Sequence, residues 1–297
     1  MPCTVFLLSK TKISKTIRSN KYAKTATIIL MNIITVIILG IIQGVTEFLP
    51  VSSSGHVLIF SRILNDPSSF EFDVLVSFGT LFAVLWYYRR RFYEILTDVL
   101  KQRDFNLTFK LIVATIPAVI CGYFLEDFIS KYLHSTTIAV IMLLVIGILM
   151  VLSRKIKPNN KLGVNKDLHS ITYKQAALIG LAQCVALISG SSRSGVTMLA
   201  AIKLGFQTKV AAEWSFLMSV PVIAGASLKV LLSTEGMNFI HQETAVFVVA
   251  NIISFITGIF AIHMLLKILS NKGLYWFGWY RIVLAFVLIV LISVKIL

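Results

Sequence analysis

The amino-acid sequence predicts an all-α polytopic membrane protein built as an inverted repeat, each half a re-entrant helix-turn-helix followed by three transmembrane helices. Three observations predict it. Apolar residues make up 57% of the 297 and charged residues only 14%, with a mean hydropathy of +0.86, against roughly 45–50% and 25% in soluble domains. Apolar stretches of crossing length, about 17–25 residues, recur to the C-terminus and leave no segment for a separate soluble domain. The chain also matches itself at an offset of 140 residues, most densely in two serine-rich breaks.

Residues 1–30 carry six basic residues and no acidic one ahead of a second methionine, Met31. The basic run follows the short apolar run Val5-Phe6-Leu7-Leu8 instead of preceding it, unlike a secretory signal. The segment reads as a basic extension, either a flexible arm or, as the topology below favours, a stretch outside the mature protein. Residues 31–297 form a single membrane domain with repeat halves at about 31–153 and 171–297. In the first half, Ile34 to Leu49 is a short apolar helix that Pro50 ends. Ser52-Ser53-Ser54-Gly55-His56 is the break, Val57 to Phe60 begins the return, and spans follow near 72–88, 108–125 and 136–152. The second half repeats the order, with the break Ser191-Ser192-Arg193-Ser194-Gly195 and spans near 210–232, 244–266 and 279–296. At the 140-residue offset Gly40, Gln43, Val45, Ser52, Ser54 and Gly55 fall on identical residues, and Asp73 falls on Glu213. Interrupted backbone at membrane depth survives only where protein or a wet cavity covers it, so the breaks are expected to be the buried tips of re-entrant units. Three crossings per half then invert the second half relative to the first.

Loop charges test this topology. The segment 62–73 carries Arg62 against Asp66, Glu71 and Asp73, whereas 89–110 carries Arg89, Arg90, Arg91, Lys101, Arg103 and Lys110. Further on, 126–134 has one Lys131, 154–174 has six basic residues, 233–243 has none, and 267–272 has Lys267 and Lys272. The alternation follows the positive-inside rule and puts the start of the first re-entrant unit and the C-terminus outside. A basic arm does not belong there, which is why residues 1–30 read as absent from the mature protein. The net charge of +15 is accounted for by these loops, and no nucleic-acid partner is expected. Cys3, Cys121 and Cys184 are scattered without paired spacing and suggest neither a disulfide framework nor a zinc site.

The breaks concentrate the polar chemistry. Gln43 and Glu47 lie four apart and share a helix face; a carboxylate at membrane depth is a functional hypothesis by default. The serines serve equally as helix caps, and His56 alone equally as a hydrogen-bonded core residue. In the second break a Gly/Ser turn opens a helix and directs N–H groups at an anion, while Arg193 adds a forked donor matched to phosphate oxygens. Arg193 also fits as the ion-pair partner of Glu47 or Glu213. Together these groups suit phosphoryl chemistry on a lipid whose head reaches the breaks while its chain stays in the bilayer.

The strings QGVTEFLPVSSSGH and SGSSRSGVT resemble the two signature regions of the undecaprenyl-diphosphate phosphatases, also called bacitracin-resistance proteins, and the resemblance runs from about Met31 to the C-terminus. It implies hydrolysis of undecaprenyl diphosphate to undecaprenyl phosphate and inorganic phosphate, recycling the lipid carrier of bacterial cell-wall synthesis. It implies bacitracin resistance, and a multi-pass protein of the bacterial inner membrane whose site opens to the periplasmic side. The family's Glu/Gln-xxx-Glu motif falls on Gln43 and Glu47, its serine and histidine on Ser53 and His56, and its arginine motif on Ser192, Arg193, Ser194 and Thr197. Where the family usually has proline before the glycine of the second motif this chain has Ser189, and Gln43 stands where glutamate is frequent. Glu47, Ser53, His56 and Arg193 are accordingly expected to be catalytic, and Gln43, Ser52, Ser54, Ser192, Ser194 and Thr197 to bind substrate. Ser53 attacks with His56 or Glu47 taking its proton, or water attacks directly with Ser53 only binding. A divalent cation, magnesium or calcium, is expected on Glu47, brought mainly by the substrate. The expected partners are the polyprenyl diphosphate and membrane lipids, with a homodimer left open. A transporter or lipid flippase is the rival class, because inverted repeats with broken helices serve carriers.

Overall fold

The structure is a computed structural model and describes residues 33–64, 70–125, 128–133, 135–155 and 167–294; the expectation for residues 1–30 lies outside them. The described residues are α-helical with short 3-10 and π turns, and contain no strand. Helix α1 is Ile33–Phe48 and α2 is Ser53–Ile63. Helices α3 (Phe70–Leu75) and α4 (Ser77–Tyr87) follow, then α5 (Arg89–Thr97), which runs into a π turn at Asp98–Gln102. The first half ends with α6 (Asn106–Phe124) and α7 (Thr136–Leu152). The second half comprises α8 (Tyr173–Cys184), α9 (Arg193–Lys203), α10 (Thr208–Leu231), α11 (Thr234–Gln242), α12 (Thr244–Lys272) and α13 (Tyr275–Ser293).

Five of these helices are long and apolar enough to cross a membrane: α6, α7, α10, α12 and α13. The chain is thus an all-α polytopic membrane protein. Outward-facing Ile112, Ile116 and Val119 on α6, Ile252, Ile256 and Phe260 on α12, and Val283, Phe286 and Val290 on α13 are exposed, a surface suited to lipid and not to water. The core gathers Phe48, Trp214, Phe216, Met218 and Ile179, all fully buried.

The span expected near 72–88 is shorter than the others and opens at Val76. The cause lies in α12. Asn251 Oδ1 accepts the Gly79 N–H at 2.5 Å, and Ser254 Oγ donates to the Val76 carbonyl at 2.9 Å. Two polar side chains thereby enter the backbone ladder, a recognised cause of helix breaks. The approach of α12 requires the missing side chain of Gly79, since a Cβ there would collide with the Ser254 hydroxyl and the Asn251 backbone carbonyl.

The element boundaries recur at the 140-residue offset. Helix α2 maps on α9 residue for residue, the described part of α1 maps onto α8 and the turn after it, α6 maps inside α12, and α7 maps inside α13. Each half also carries a short helix between its first and second spans, α5 and α11, where the sequence suggested loops. Packing exchanges the halves: α1 rests on α12 through Gly40 and Gly44, and its counterpart α8 rests on α6, where Gly180 lies against the Ala114 backbone. Helices α7 and α13, themselves counterparts, pack against each other through Gly147 and Gly278. The basic loops converge on one end: Arg91 pairs with Glu213 at 3.0 Å, Lys110 donates to the His169 carbonyl at 2.8 Å, and Arg154 lies over the Tyr275 ring.

Candidate active site

The described part of α1 has 16 residues and α2 has 11, about 24 and 16 Å at 1.5 Å per residue, both short of the hydrocarbon thickness. The chain turns between them at Leu49 to Ser52, and the second unit turns at Ile188 to Ser192. Both turns end on a serine in the left-handed region, Ser52 at φ 78° and Ser192 at φ 70°. Each serine caps the following helix by accepting the N–H of the glycine three residues on, Gly55 at 3.3 Å and Gly195 at 3.2 Å, so a local bond offsets the cost of a non-glycine residue there. The two turns touch inside the protein. Ser194 Oγ donates to the Leu49 carbonyl at 3.1 Å, and a side chain on Gly55 would reach Gly190. Gly190, at φ 86°, lies against the Ala139 backbone too closely for any Cβ.

Glu47 is the centre of the site. Arg193 Nη2 donates to its Oε1 at 2.9 Å, and the two side chains are only 12% and 11% exposed. Its Oε2 accepts from Ser53 Oγ at 2.6 Å and from Gln43 Nε2 at 3.0 Å. Gln43 also donates to Ser77 Oγ at 2.8 Å, and Arg193 Nη1 to the Ser215 carbonyl at 3.1 Å. The i, i+4 spacing of Gln43 and Glu47 delivers both to one face of α1, and the tertiary fold brings Arg193 across from the other half. Thr197 stands behind the arginine, donating to the Arg193 carbonyl at 2.8 Å and meeting Ser215 Oγ at 2.7 Å.

Of the ten expected residues, the structure therefore brings Gln43, Glu47, Ser53 and Arg193 into one cluster. Ser52, Ser192 and Ser194 are engaged in holding the backbone of the turns, and Ser54 is exposed with its hydroxyl 3.4 Å from Ser52. His56 is buried and directed away from Ser53. Its Nδ1 lies 2.7 Å from the Ser52 carbonyl and its Nε2 2.8 Å from Tyr280 Oη. A carbonyl only accepts, so Nδ1 carries the proton and Nε2 is free to accept from the tyrosine. Tyr280 also lines an apolar cavity of about 580 Å³ with Thr46, Leu49, Val51, Lys267 and Phe277.

Four residues at the site were not singled out from the sequence. Ser77, Ser215 and Tyr280 are ordinary residues of apolar helices and carried no local signal. Arg281 did: it is a lone charge inside the stretch Tyr275–Ser293, the kind of residue that marks function at membrane depth. It is 0% exposed and hydrogen-bonds backbone carbonyls of both turns.

A divalent cation was expected on Glu47. Magnesium and calcium require about six or more oxygens, whereas among the described residues no three His, Cys, Asp or Glu side chains are grouped to hold a metal. Both Glu47 oxygens are already engaged by Arg193, Ser53 and Gln43. The side chains present do not build a cation cage.

Residues 36–287 match the family of bacitracin resistance protein BacA. The chain is 36% identical over 267 residues to undecaprenyl-diphosphatase 1 of Clostridioides difficile (strain 630), covering 88% of this chain and 96% of that protein. It is 38% identical over 258 residues to the undecaprenyl-diphosphatase of Aliivibrio salmonicida (strain LFI1238), covering 83% and 93%. Against undecaprenyl-diphosphatase 2 of Stutzerimonas stutzeri (strain A1501) the identity is 38% over 275 residues, covering 89% and 99%.

Proposed function

The chain belongs to the bacitracin resistance protein BacA family, and from that premise we infer that it is an undecaprenyl-diphosphate phosphatase working at the Glu47 cluster. It is an integral membrane hydrolase that converts undecaprenyl diphosphate to undecaprenyl phosphate and inorganic phosphate. The single observation that carries the site is the continuous arrangement in which Glu47 accepts from Ser53 at 2.6 Å on one oxygen and from Arg193 at 2.9 Å on the other. A hydroxyl in contact with a carboxylate base, beside a forked cation, is the constellation of an activated nucleophile with an electrostatic clamp.

The lipid diphosphate enters with its terminal phosphate between Ser53 and Arg193, and Arg193 exchanges part of its pairing with Glu47 for phosphate oxygens. Ser53 Oγ attacks the terminal phosphorus and gives its proton to Glu47 as the anhydride bond breaks. Undecaprenyl phosphate leaves with the bridging oxygen. The departing lipid phosphate takes the proton from Glu47; water then attacks the phosphoserine, giving a proton to the freed carboxylate, which passes it to Ser53 Oγ as inorganic phosphate departs. The Ser53–Glu47 bond favours this route over direct attack by water, and it favours Glu47 over His56 as the base, since both His56 nitrogens are engaged elsewhere. His56 acts through Ser52 and Tyr280 on the shape of the turn. The apolar cavity beside Tyr280 suits a prenyl chain in size and lining. A magnesium or calcium ion would come with the diphosphate and would neutralise part of its charge, Glu47 being the carboxylate of the cluster beside it.

The alternating loop charges support a site opening to the periplasmic side of a bacterial inner membrane, and the same reading supports bacitracin resistance in cells that carry the protein. The test is release of phosphate from undecaprenyl diphosphate by the purified protein in detergent, followed by a single-turnover quench. Phosphate recovered on Ser53 supports the covalent route. Rapid release with no label on Ser53, or full activity in Ser53→Ala, overturns it.

A further inference from the structure

The residue that ties the two turns together has no part in the scheme above. Arg281 spends its donors on backbone carbonyls alone: Nε on Leu143 at 3.4 Å, Nη1 on Pro50 at 3.2 Å, and Nη2 on Met142 at 3.2 Å, Gly190 at 2.6 Å and Ser191 at 3.2 Å. Pro50 and Gly190 are counterparts at the 140-residue offset. One side chain therefore grips equivalent carbonyls of both turns, at the positions where each turn leaves helical geometry and its carbonyls lack helical partners.

Among the described residues no carboxylate pairs with Arg281. The ion pairs there include Arg91 with Glu94, Arg91 with Glu213, and Arg193 with Glu47. Neutral donors would satisfy carbonyls without the cost of desolvating a guanidinium. Because Arg193 and Glu47 cancel, the joined turns keep one uncompensated positive charge at rest, which matches an incoming diphosphate.

We propose that Arg281 is a positioning residue for the phosphatase reaction: its planar fork sets the first turn, with Glu47 and Ser53, against the second, with Arg193, and its unpaired charge makes the joined turns receptive to a diphosphate. The proposal rests on the phosphatase reading. Two functions in one side chain can be separated, because lysine keeps the charge but loses the planar fork, whereas methionine loses both.

The experiment measures kcat and KM for phosphate release from undecaprenyl diphosphate, with thermal unfolding in detergent, for wild type, Arg281→Lys and Arg281→Met. Wild type is expected to release phosphate. Arg281→Lys is expected to unfold within a few degrees of wild type, to hold its KM, and to lose about 10²-fold in kcat, the usual consequence of a reacting group displaced by about 1 Å. Arg281→Met is expected to lose kcat in the same way and to show a raised KM as well. Wild-type kcat in Arg281→Lys overturns the positioning role, and wild-type KM in a folded Arg281→Met overturns the electrostatic one. If Arg281→Met does not fold, the lysine variant decides. If neither folds, Arg281 is structural alone and the proposal falls. No phosphate release by wild type overturns the phosphatase reading, and the positioning role with it.

Discussion

In the first turn Ser52 stands at φ 78° and caps α2 through Gly55; in the second Ser192 stands at φ 70° and caps α9 through Gly195. The backbones are alike, and Arg281 holds a carbonyl of each. The side chains are not alike. Where the first half has Glu47, Ser53 and His56, the second has Leu187, Arg193 and Val196. The candidate nucleophile and the candidate phosphate clamp thus occupy the same position of the repeat and face each other through Glu47. The two turns share a backbone and differ in three side chains, and in the proposed reaction that difference makes one the reacting half and the other the binding half. Gln43 and Gln183 show the residue of that history. Gln43 donates to Glu47 and Ser77, but Gln183, 2% exposed, has no hydrogen-bond partner for either amide atom among the described residues.

The comparison is broken most directly at the position the two halves do not share. Arg193→Ala is expected to lower kcat/KM by about 10³-fold or more, the scale of an arginine that stabilises phosphoryl-transfer charge, in protein that still elutes as a folded species in detergent. Phosphate release at the wild-type rate would remove the clamp. Glu47→Gln should follow, with a loss of about 10²–10⁴ in kcat, since the amide keeps the shape and some hydrogen bonds but cannot take the Ser53 proton. A phosphoserine that still forms at the normal rate in this variant would move the base elsewhere.

The apolar helices, the turns and the central pair were legible in the sequence for physical reasons. Membrane-spanning helices announce themselves by length and hydropathy, and charged or broken segments inside them are conspicuous. What was illegible depended on contacts between distant segments. The opening of α3 and α4 at Val76 is made by Asn251 and Ser254, and nothing local to Val76 forecasts it. The family resemblance put His56 beside Ser53 as a possible base, whereas its ring nitrogens meet the Ser52 carbonyl and Tyr280, 224 residues away. Arg281 was visible as a charge in an apolar span, but its hold on both turns required their packing to be known. For Ser52 and Ser192 the sequence offered both a cap and a phosphate contact, and the structure shows the caps.

The glutamine pair offers a smaller effect of opposite sign in the two halves. Gln43→Leu should reduce kcat about tenfold by freeing Glu47 and Ser77 from a donor each shares, the loss of about one charge-assisted hydrogen bond. Gln183→Leu removes an unpaired buried amide and should leave activity unchanged while raising stability by about 1 kcal/mol, read as a higher Tm in detergent. A lower Tm in Gln183→Leu would show that the amide has a partner that matters to the fold.

The smallest effect concerns what the halves have in common. Ser52→Ala and Ser192→Ala should each cost about 1 kcal/mol, the usual loss of a serine cap, and the two costs should be equal because the geometry is. Replacement by glycine should cost less at both sites, since it relieves the left-handed backbone while giving up the same bond. Unfolding in detergent measures all four variants, and phosphate release under the same conditions supplies the control. A Ser52→Ala variant that loses activity far beyond its change in stability, while Ser192→Ala does not, would mean that the Ser52 hydroxyl also touches the phosphate. The division between shared turn and divergent chemistry would then fall one residue earlier, between the caps and not after them.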